Sequence, residues 1–385
     1  MHQLNVRVKA AHQKYKISIG RGILEKTGAE TRNDLGQQTR RIALVSNPAV
    51  FHFYGALVVK SLRASGFLVC RWLLGDGERF KSLRAAEELL VFLGNNGLER
   101  SDAVVALGGG VVGDLAGFAA AVYMRGIPFI QVPTTLLAQI DASVGGKTGV
   151  NSSRGKNLVG AFHQPRAVII DTETLTTLPP RELVAGWCES VKQGAVGSRT
   201  LFRKTTGFLL KHKSRRKALL SDEFEELIAS QCAFKASIVE GDEQETTDRR
   251  DFRSRRILNF GHTIGHALEV VTRYRRFRHG EAVGYGMLAA GEISKNLGLL
   301  EPSELQSLRE AVRLCGPLPV ADNLDERTIV KALAQDKKSI SGQIQWVLLE
   351  RIGRARIVGG EEISPQLLRA SLRAGLGGSA RAAKE

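Results

Sequence analysis

Residues 103–123 constrain the fold of this 385-residue chain more than any other stretch. Residues 103–107 form a short, apolar, β-branched run, which is typical of a strand covered on both faces. Gly108, Gly109 and Gly110 follow at once, where the backbone can turn tightly and present its N–H groups. Residues 111–123 are small and apolar enough to form a buried helix. A strand, a glycine turn and a helix N-terminus together indicate a phosphate or pyrophosphate site, although the spacing is not G-x-G-x-x-G.

Polar and cationic residues crowd the segment that follows, which favours a pocket for an anionic ligand over a packed core. Two arginines, hydroxyls, an acid, two lysines and several glycines lie within residues 125–157. The residues that indicate this pocket are Arg125, Thr134, Thr135, Asp141, Lys147, Lys156 and Asn157.

The first half of the chain alternates predicted strands and helices, whereas the second half is dominated by helical periods. Strands at 41–46, 67–74, 103–107, 129–132 and 167–170, with an edge hairpin at 4–9 and 15–19, predict a mainly parallel, Rossmann-like doubly wound α/β sheet. Helices are predicted at 181–196, 222–239, 257–271, 280–297, 303–314 and 326–334, with late strands at 344–349 and 354–358. We therefore expect an α/β domain at 1–176, a mainly helical domain at 177–374 and a disordered tail at 375–385.

Composition restricts the class of protein. No apolar run is long enough to cross a membrane, and the N-terminus lacks the apolar region of a signal peptide. The four cysteines form no C-x-x-C pair, so we expect reduced thiols in a cytoplasmic protein. The net charge of +16 raises the question of nucleic-acid binding, but the basic residues are dispersed and only 6% of residues are aromatic. A nucleic-acid partner is therefore disfavoured, and a small anionic substrate is favoured.

A second cluster, in the helical half, indicates a metal site. His262 and His266 are four residues apart and share a helix face, and His279 follows in a His-Gly-Glu run. Neutral imidazoles suit Zn²⁺, and a catalytic zinc commonly has three protein ligands. The H-E-x-x-H pattern of metalloproteases is missing, so Glu189 is the best candidate for a further ligand. A simple helix salt bridge between Glu189 and Lys192 is the alternative interpretation.

Taken together, these motifs identify a resemblance. Gly-Gly-Gly-Val-Val-Gly-Asp-Leu-Ala-Gly-Phe, Gln-Val-Pro-Thr-Thr-Leu-Leu-Ala, Gly-Gly-Lys-Thr-Gly-Val-Asn, Gly-Lys-Asn-Leu-Val-Gly-Ala-Phe and Asn-Phe-Gly-His-Thr-Ile-Gly-His resemble the 3-dehydroquinate synthase family of the shikimate pathway. The resemblance extends over residues 40–360. It implies a dehydroquinate synthase-like fold with an NAD-binding first domain and a metal- and substrate-binding second domain.

The resemblance also assigns roles to individual residues. It implies that Glu189, His262 and His279 bind zinc or cobalt, which moves His266 from metal ligand to substrate phosphate. The implied substrate-site residues are Asp114, Asp141, Lys147, Lys192, Lys235, Arg255, Asn259 and His266, with Lys337 chosen over Lys338. The implied NAD-site residues are Glu78, Lys81, Gly109, Gly110, Asp114, Thr134, Thr135, Lys156, Asn157, Thr177, Leu178 and Glu182. Arg125 resembles an arginine that reaches the neighbouring subunit's site in family dimers, so a homodimer is expected.

The implied reaction converts 3-deoxy-arabino-heptulosonate 7-phosphate to 3-dehydroquinate and phosphate. It comprises transient oxidation by NAD, phosphate elimination, re-reduction and an intramolecular aldol closure. Two departures from the family pattern are Trp187-Cys188 beside Glu189 and a longer, more basic segment at 245–255, which leaves Arg253 and Arg256 as neighbours of the assigned Arg255. The alternatives are a sister sugar-phosphate cyclase, an NAD-dependent polyol dehydrogenase and an inactive binding protein.

Overall fold

The computed structural model describes residues 1–8, 13–153, 155–212, 215–335, 339–340 and 343–381. The chain divides into two compact units. Unit 1 comprises Met1–Leu178 and Arg216–Glu240, and unit 2 comprises Pro179–Arg215 and Gly241–Glu385. Each unit is built from elements that the sequence patterns largely anticipate.

The strands are β1 (His2–Val8), β2 (Gln13–Gly20), β3 (Arg41–Ser46), β4 (Leu68–Leu73), β5 (Ala103–Gly108), β6 (Phe129–Pro133), β7 (Lys147–Ser152), β8 (Gly155–Phe162), β9 (Ala167–Asp171), β10 (Ser339–Ile340), β11 (Gln343–Arg351) and β12 (Arg354–Gly359). The helices are α1 (Thr27–Leu35), α2 (Pro48–Val50), α3 (Ala56–Ala64), α4 (Leu83–Asn95), α5 (Gly110–Val122), α6 (Pro180–Gly197), α7 (Arg199–Lys211), α8 (Arg215–Ala218), α9 (Asp222–Gly241), α10 (His262–Val271), α11 (His279–Asn296), α12 (Pro302–Cys315), α13 (Glu326–Gln335) and α14 (Pro365–Arg381).

Unit 1 is organised around one sheet with strand order β1-β2-β9-β6-β5-β3-β4. Only the edge pair β1–β2 is antiparallel among these described pairings, and the other pairs run parallel. One face is covered by a core that includes Leu89 and Leu115, and the other by a core that includes Val58 and Leu62. Burial on both faces explains why the central strands are continuously apolar. The predicted doubly wound α/β fold is confirmed.

Unit 1 also contains a helix that the sequence did not assign to it. We expected residues 222–239 in the second domain, but the corresponding helix α9 belongs to unit 1 as far as Glu240. Cys232 Sγ donates to the Gln139 carbonyl at 3.3 Å, and Lys235 Nζ donates to Asp141. The residues in each contact are far apart in sequence, so helical periodicity alone could not predict which unit α9 packs against.

Unit 2 is mainly helical, as predicted, with α6, α10 and α11 at its centre and a small antiparallel sheet of order β10-β11-β12. The helix predicted at 257–271 is interrupted. A 3₁₀ turn at Arg255–Asn259 precedes Gly261, whose φ of 78° ends the turn, and α10 then begins at His262. His262 and His279 are therefore the first residues of their helices.

The expectation of disorder from residue 375 is corrected for residues 375–381, because α14 continues to Arg381. Leu372 and Leu376 are buried, and a Cβ at Gly375 would lie 2.6 Å from the Ala289 Cα, so this glycine allows α14 to approach α11 closely. Residues 382–385 lie outside the described residues. The hairpin of β7 and β8 was not predicted, because its residues were interpreted only as pocket lining.

The described helices and the cysteines bear on the class of protein. In the part of the chain that the structure describes, no helix is both long and apolar enough to span a membrane. The four cysteines are free thiols, and the cytoplasmic location stays a prediction.

The Asp102 carboxylate ties together the starts of β3 and β5. It accepts hydrogen bonds from the backbone N–H groups of Arg40 at 3.1 Å, Arg41 at 2.7 Å and Glu99 at 2.9 Å. Since the side chain is buried, Asp102→Ala leaves these donors without their acceptor and should destabilise unit 1 by about 3 kcal/mol. Equilibrium urea unfolding measures this effect, with Glu87→Ala on the exposed face of α4 as the control. An unchanged midpoint for Asp102→Ala would contradict the assigned role.

Candidate functional site

The glycine turn is shaped by how closely α5 approaches its neighbours. Gly109 is the N-cap residue of α5, and Gly110 begins the helix. A Cβ at Gly113 would lie 2.5 Å from Gln131 Oε1, so a larger residue would require the Gln131 side chain to move. The backbone N–H groups of the first turn of α5 thus lie at the carboxyl end of β5, which is where doubly wound folds bind phosphates.

A hydrogen-bond network beside this turn brings together five predicted NAD-site residues. Lys81 is almost fully buried, and its ammonium group donates to Asp114 Oδ2 and Asn157 Oδ1. Asn151 continues the network, because its side chain accepts from Asn157 N at 3.0 Å and donates to Glu78 Oε1 at 2.8 Å. Lys156 lies 3.8 Å from the same Glu78 oxygen. The structure therefore groups Glu78, Lys81, Asp114, Lys156 and Asn157.

Burial dominates the electrostatics of Asp114. Desolvation raises the pKa of its carboxyl above the ordinary value, and the Lys81 ammonium opposes this effect. Lys81 is the counter-ion that makes a partly buried Asp114 carboxylate tolerable, and each group holds the other in place.

A second pair in unit 1 joins two predicted substrate-site residues. Lys235 on α9 donates to both the backbone carbonyl and Oδ1 of Asp141. The resemblance implied both residues as substrate-site residues. They are in contact because α9 belongs to unit 1.

The remaining predicted residues of unit 1 have varied surroundings. Thr135 Oγ1 accepts from Ala138 N at 3.1 Å, which is a turn-capping contact. Thr177 shares a 2.6 Å hydrogen bond with the Tyr54 hydroxyl, and the Leu178 carbonyl accepts from Arg216 at 3.1 Å. Thr134 is buried, whereas Lys147, at the start of β7, and Arg125 are exposed. These contacts do not connect Thr177 or Leu178 to the Lys81 network.

In unit 2, five residues singled out from the sequence converge. Glu189 on α6 is fully buried, and its Oε1 lies 3.6 Å from His279 Nε2 and 4.0 Å from His262 Nε2. His262, His266 and His279 can each direct a ring nitrogen to within 4.8 Å of the others. Lys192 Nζ lies 2.5 Å from the other oxygen, Glu189 Oε2. The helix salt bridge and the histidine contacts therefore coexist at Glu189.

These residues fit a divalent metal ion. Ligands about 2.1 Å from a tetrahedral zinc are separated from one another by about 3.4 Å, close to the spacing of Glu189 Oε1 and the two Nε2 atoms. Among the described residues, Glu189 Oε1 has no hydrogen-bond donor although it is buried. A buried carboxylate oxygen without a donor is costly, and a cation between it and the imidazoles would remove that cost.

The histidines are brought to Glu189 by close helix packing. A Cβ at Gly280 would lie only 2.0 Å from the Ala185 carbonyl oxygen, so glycine allows the start of α11 to press against α6. Glu281 fixes the same end of α11, because it accepts from Arg278 N at 2.7 Å and from Arg181 at 2.8 and 2.6 Å. The glycine of His-Gly-Glu is therefore a packing requirement of the cluster.

Arg255 and Asn259 are held by the longer segment that precedes them. Arg255 is buried, and its guanidinium donates to the Glu243 carbonyl at 2.5 Å, whereas Arg253 is exposed. Asn259 Nδ2 donates to Glu245 Oε1 at 2.7 Å. Burial thus distinguishes Arg255 from its basic neighbours. Lys337 lies outside the described residues.

Glu182 contacts a different part of unit 2. Its Oε1 lies 2.8 Å from Arg278 Nε, next to the start of α11. This predicted NAD-site residue therefore has an ion-pair partner of its own.

Two residues that the sequence analysis missed belong to these networks. Asn151 links Glu78 to Asn157, and Glu269 lies 3.3 Å from His279 Nδ1 through its Oε2. The signal for Glu269 was an acid three residues after His266 and seven after His262, which places it on the same helix face. The signal for Asn151 was weaker, a polar residue at the end of a glycine-rich motif.

Comparisons with known proteins agree with this geometry. Residues 71–185 match the family described as 3-dehydroquinate synthase N-terminal, and residues 186–339 match 3-dehydroquinate synthase C-terminal. A 3-dehydroquinate synthase of Pelotomaculum thermopropionicum is 44% identical over 359 residues, covering 92% of this chain and 93% of the relative.

Two solved structures are similar over almost the whole chain. The 2-epi-5-epi-valiolone synthase of Streptomyces hygroscopicus, with NAD⁺ and Zn²⁺ bound, has a TM-score of 0.82 and 25% identity, covering 96% of this chain and 97% of its own. A 2-deoxy-scyllo-inosose synthase complexed with carbaglucose-6-phosphate, NAD⁺ and Co²⁺ has a TM-score of 0.79 and 25% identity, covering 97% of this chain and 100% of its own.

The close packing at Gly280 can be tested by comparing an alanine there with an alanine at Gly207, which is not closely packed. Gly280→Ala forces α11 away from α6 and should destabilise unit 2 by roughly 2 kcal/mol while weakening Zn²⁺ binding. Gly207→Ala, in the interior of α7, adds a Cβ that meets nothing within 4 Å and should stabilise by about 0.5–1 kcal/mol. Thermal unfolding and zinc titration measure both effects. Wild-type stability and zinc affinity in Gly280→Ala would contradict the packing argument.

Proposed function

The chain belongs to the 3-dehydroquinate synthase family, and we propose that it converts 3-deoxy-arabino-heptulosonate 7-phosphate to 3-dehydroquinate with release of phosphate. This is a carbon–oxygen lyase reaction of the shikimate pathway, which leads to chorismate and the aromatic amino acids. The observation that carries the proposal is the convergence of Glu189 with His262 and His279, beside Lys192, in a chain matched by the family over both of its domains.

For the metal, the proposed ligands are Glu189, His262 and His279, with zinc or cobalt as the ion. This set is supported by the approach of both Nε2 atoms to the same Glu189 oxygen. When bound, the ion supplies Lewis-acid polarisation of substrate hydroxyl oxygens. His266 shares the cluster and is proposed to donate to the substrate phosphate. Lys192 pairs with the Glu189 carboxylate and orients it.

For NAD, the proposed site combines the turn at Gly109 and Gly110 with the Lys81 network. NAD, when bound, supplies a hydride acceptor that returns the hydride later in the cycle, so that no net oxidation occurs. The N–H groups at the start of α5 are suited to the pyrophosphate. The further proposed NAD-site residues are Glu78, Asp114, Thr134, Thr135, Lys156, Asn157, Thr177, Leu178 and Glu182.

The anionic groups of the substrate are proposed to bind four cationic residues: Lys147, Lys192, Lys235 and Arg255. Three of these are buried and already held by hydrogen bonds or ion pairs, so their positions are fixed before substrate binds. Preorganised cations stabilise negative charge without reorganising at the moment of reaction. Asn259, oriented by Glu245, and Asp141, paired with Lys235, complete the proposed substrate contacts.

A sister sugar-phosphate cyclase is the second candidate, because the two similar solved structures are a 2-deoxy-scyllo-inosose synthase and a 2-epi-5-epi-valiolone synthase. The identity of 25% to each is well below the 44% to a 3-dehydroquinate synthase, which favours the first candidate.

Incubating the purified protein with the heptulosonate phosphate, NAD and Zn²⁺ tests the proposal directly. We expect inorganic phosphate and 3-dehydroquinate to form in equal amounts, without accumulation of NADH, because the hydride returns to the substrate. Phosphate is measured colorimetrically, NADH by absorbance, and the product by chromatography.

The controls separate the alternatives. Lys192→Ala should lower turnover roughly 100-fold or more, while Lys331→Ala, an exposed lysine of α13, should not. Accumulating NADH would indicate a dehydrogenase. Metal and NAD binding without phosphate release would indicate a cyclase for another sugar phosphate.

We further propose a homodimer in which Arg125 acts in the partner subunit's site. Arg125 is exposed, and it lies in a run of three left-handed residues with φ of 49° at Met124, 65° at Arg125 and 117° at Gly126. Non-glycine residues in this region cost free energy and persist where structure or function requires them. Exposed apolar side chains at Val122 and Met124 flank the arginine, which supports contact with a second copy.

Mixed dimers test whether Arg125 acts across subunits. Arg125→Ala and Lys192→Ala should each be nearly inactive alone, but a mixture refolded together should recover about a quarter of wild-type activity, since half of the dimers then contain one intact site. Steady-state phosphate release measures the recovery, and two affinity tags verify that mixed dimers form. Mixed dimers without recovered activity would contradict action across subunits.

A further inference from the structure

Glu269 is a buried acid that none of the proposed roles uses. It lies on α10, seven residues after His262 and three after His266, so the three side chains share one helix face. Its side chain is only 3% exposed, and its chain neighbours Ala267 and Leu268 are apolar core residues. A carboxylate in such surroundings requires a compensating partner.

His279 provides that partner. Glu269 Oε2 lies 3.3 Å from His279 Nδ1, on the opposite side of the ring from Nε2, which faces Glu189 Oε1 at 3.6 Å. Because a carboxylate only accepts, the proton of the neutral imidazole is held at Nδ1, and Nε2 keeps its lone pair for a metal.

His262 is held in the same manner by a backbone group. Its Nδ1 lies 3.2 Å from the Phe260 carbonyl oxygen, which also can only accept, and its Nε2 faces the same Glu189 oxygen at 4.0 Å. Both imidazoles thus have an acceptor at Nδ1 and direct Nε2 toward Glu189 Oε1. They differ in that the acceptor for His279 is a carboxylate oxygen.

We propose that Glu269 is a positioning residue for the metal centre, one that orients His279 and increases its basicity toward a divalent cation. The inference rests on the metal site of the proposed function. Glu269 does not bind the ion itself, because its contact is with Nδ1, on the far side of the ring. Carboxylate–histidine pairs of this kind typically change metal affinity 10- to 100-fold when the carboxylate is removed.

Zinc affinity of the metal-free protein is the decisive measurement, made by competition with a chromophoric chelator. We expect Glu269→Ala to raise the Kd for Zn²⁺ about 10- to 100-fold, and Glu269→Gln to raise it less, because the amide oxygen still accepts from Nδ1 but carries no charge. Glu310→Gln, an exposed acid of α12, is the matched control and should bind as wild type. The visible spectrum of the Co²⁺-loaded protein should change in both Glu269 variants.

His279→Ala distinguishes the possible failures. If His279→Ala loses zinc while both Glu269 variants keep the wild-type Kd and Co²⁺ spectrum, the inference about Glu269 is wrong and the proposed metal site stands. If His279→Ala binds zinc as wild type, the metal site is wrong, and the inference falls with it. Should Glu269→Ala not fold, the near-isosteric Glu269→Gln decides, with melting of the metal-free protein showing that its fold is intact.

Discussion

The buried carboxylate of Glu189 is the constraint on which the centre of unit 2 depends. A negative charge without access to water is tolerated only when cations or donors surround it, and Lys192 compensates one oxygen alone. The other oxygen faces His262 and His279, each at the start of a helix. The close approach of those helices, which glycines allow, is therefore a consequence of placing a charge-bearing site inside an apolar helical core.

Unit 1 also contains buried charged groups, and it compensates them with lysine–aspartate pairs. Its buried cations lie beside the carboxyl ends of the strands, where Lys81 pairs with Asp114 and Lys235 with Asp141. In unit 1 these partners come from distant parts of the chain, whereas in unit 2 Lys192 lies on the same helix as Glu189 and the distant partners of Glu189 are His262 and His279. Preorganisation of this kind lowers the reorganisation that a reaction with anionic groups would otherwise require.

The sequence indicated the charged residues of the proposed sites more clearly than the residues that contact them. Apolar strands and helical periods were sufficient for the α/β sheet and the helical second half, because local patterns reflect which face is buried. Spacing also placed His262 and His266 on one face. The return of α9 to unit 1, by contrast, depends on contacts such as Cys232 with Gln139, almost a hundred residues away in sequence, which no local pattern contains. The role of Gly375 in helix packing was misinterpreted for the same reason.

The net positive charge and the buried cations of the proposed site have different surroundings. The net charge of +16 first indicated an attraction for anions, yet the cations assigned to the site are not unpaired charges. Lys81, Lys192 and Lys235 each contact a carboxylate, and the buried guanidinium of Arg255 contacts a carbonyl oxygen. Much of the excess positive charge therefore belongs to exposed residues, where it can attract anions at long range. In the proposed site, selection among anions would then depend on the fixed directions of the buried donors, and so on the carboxylate and carbonyl groups that hold them.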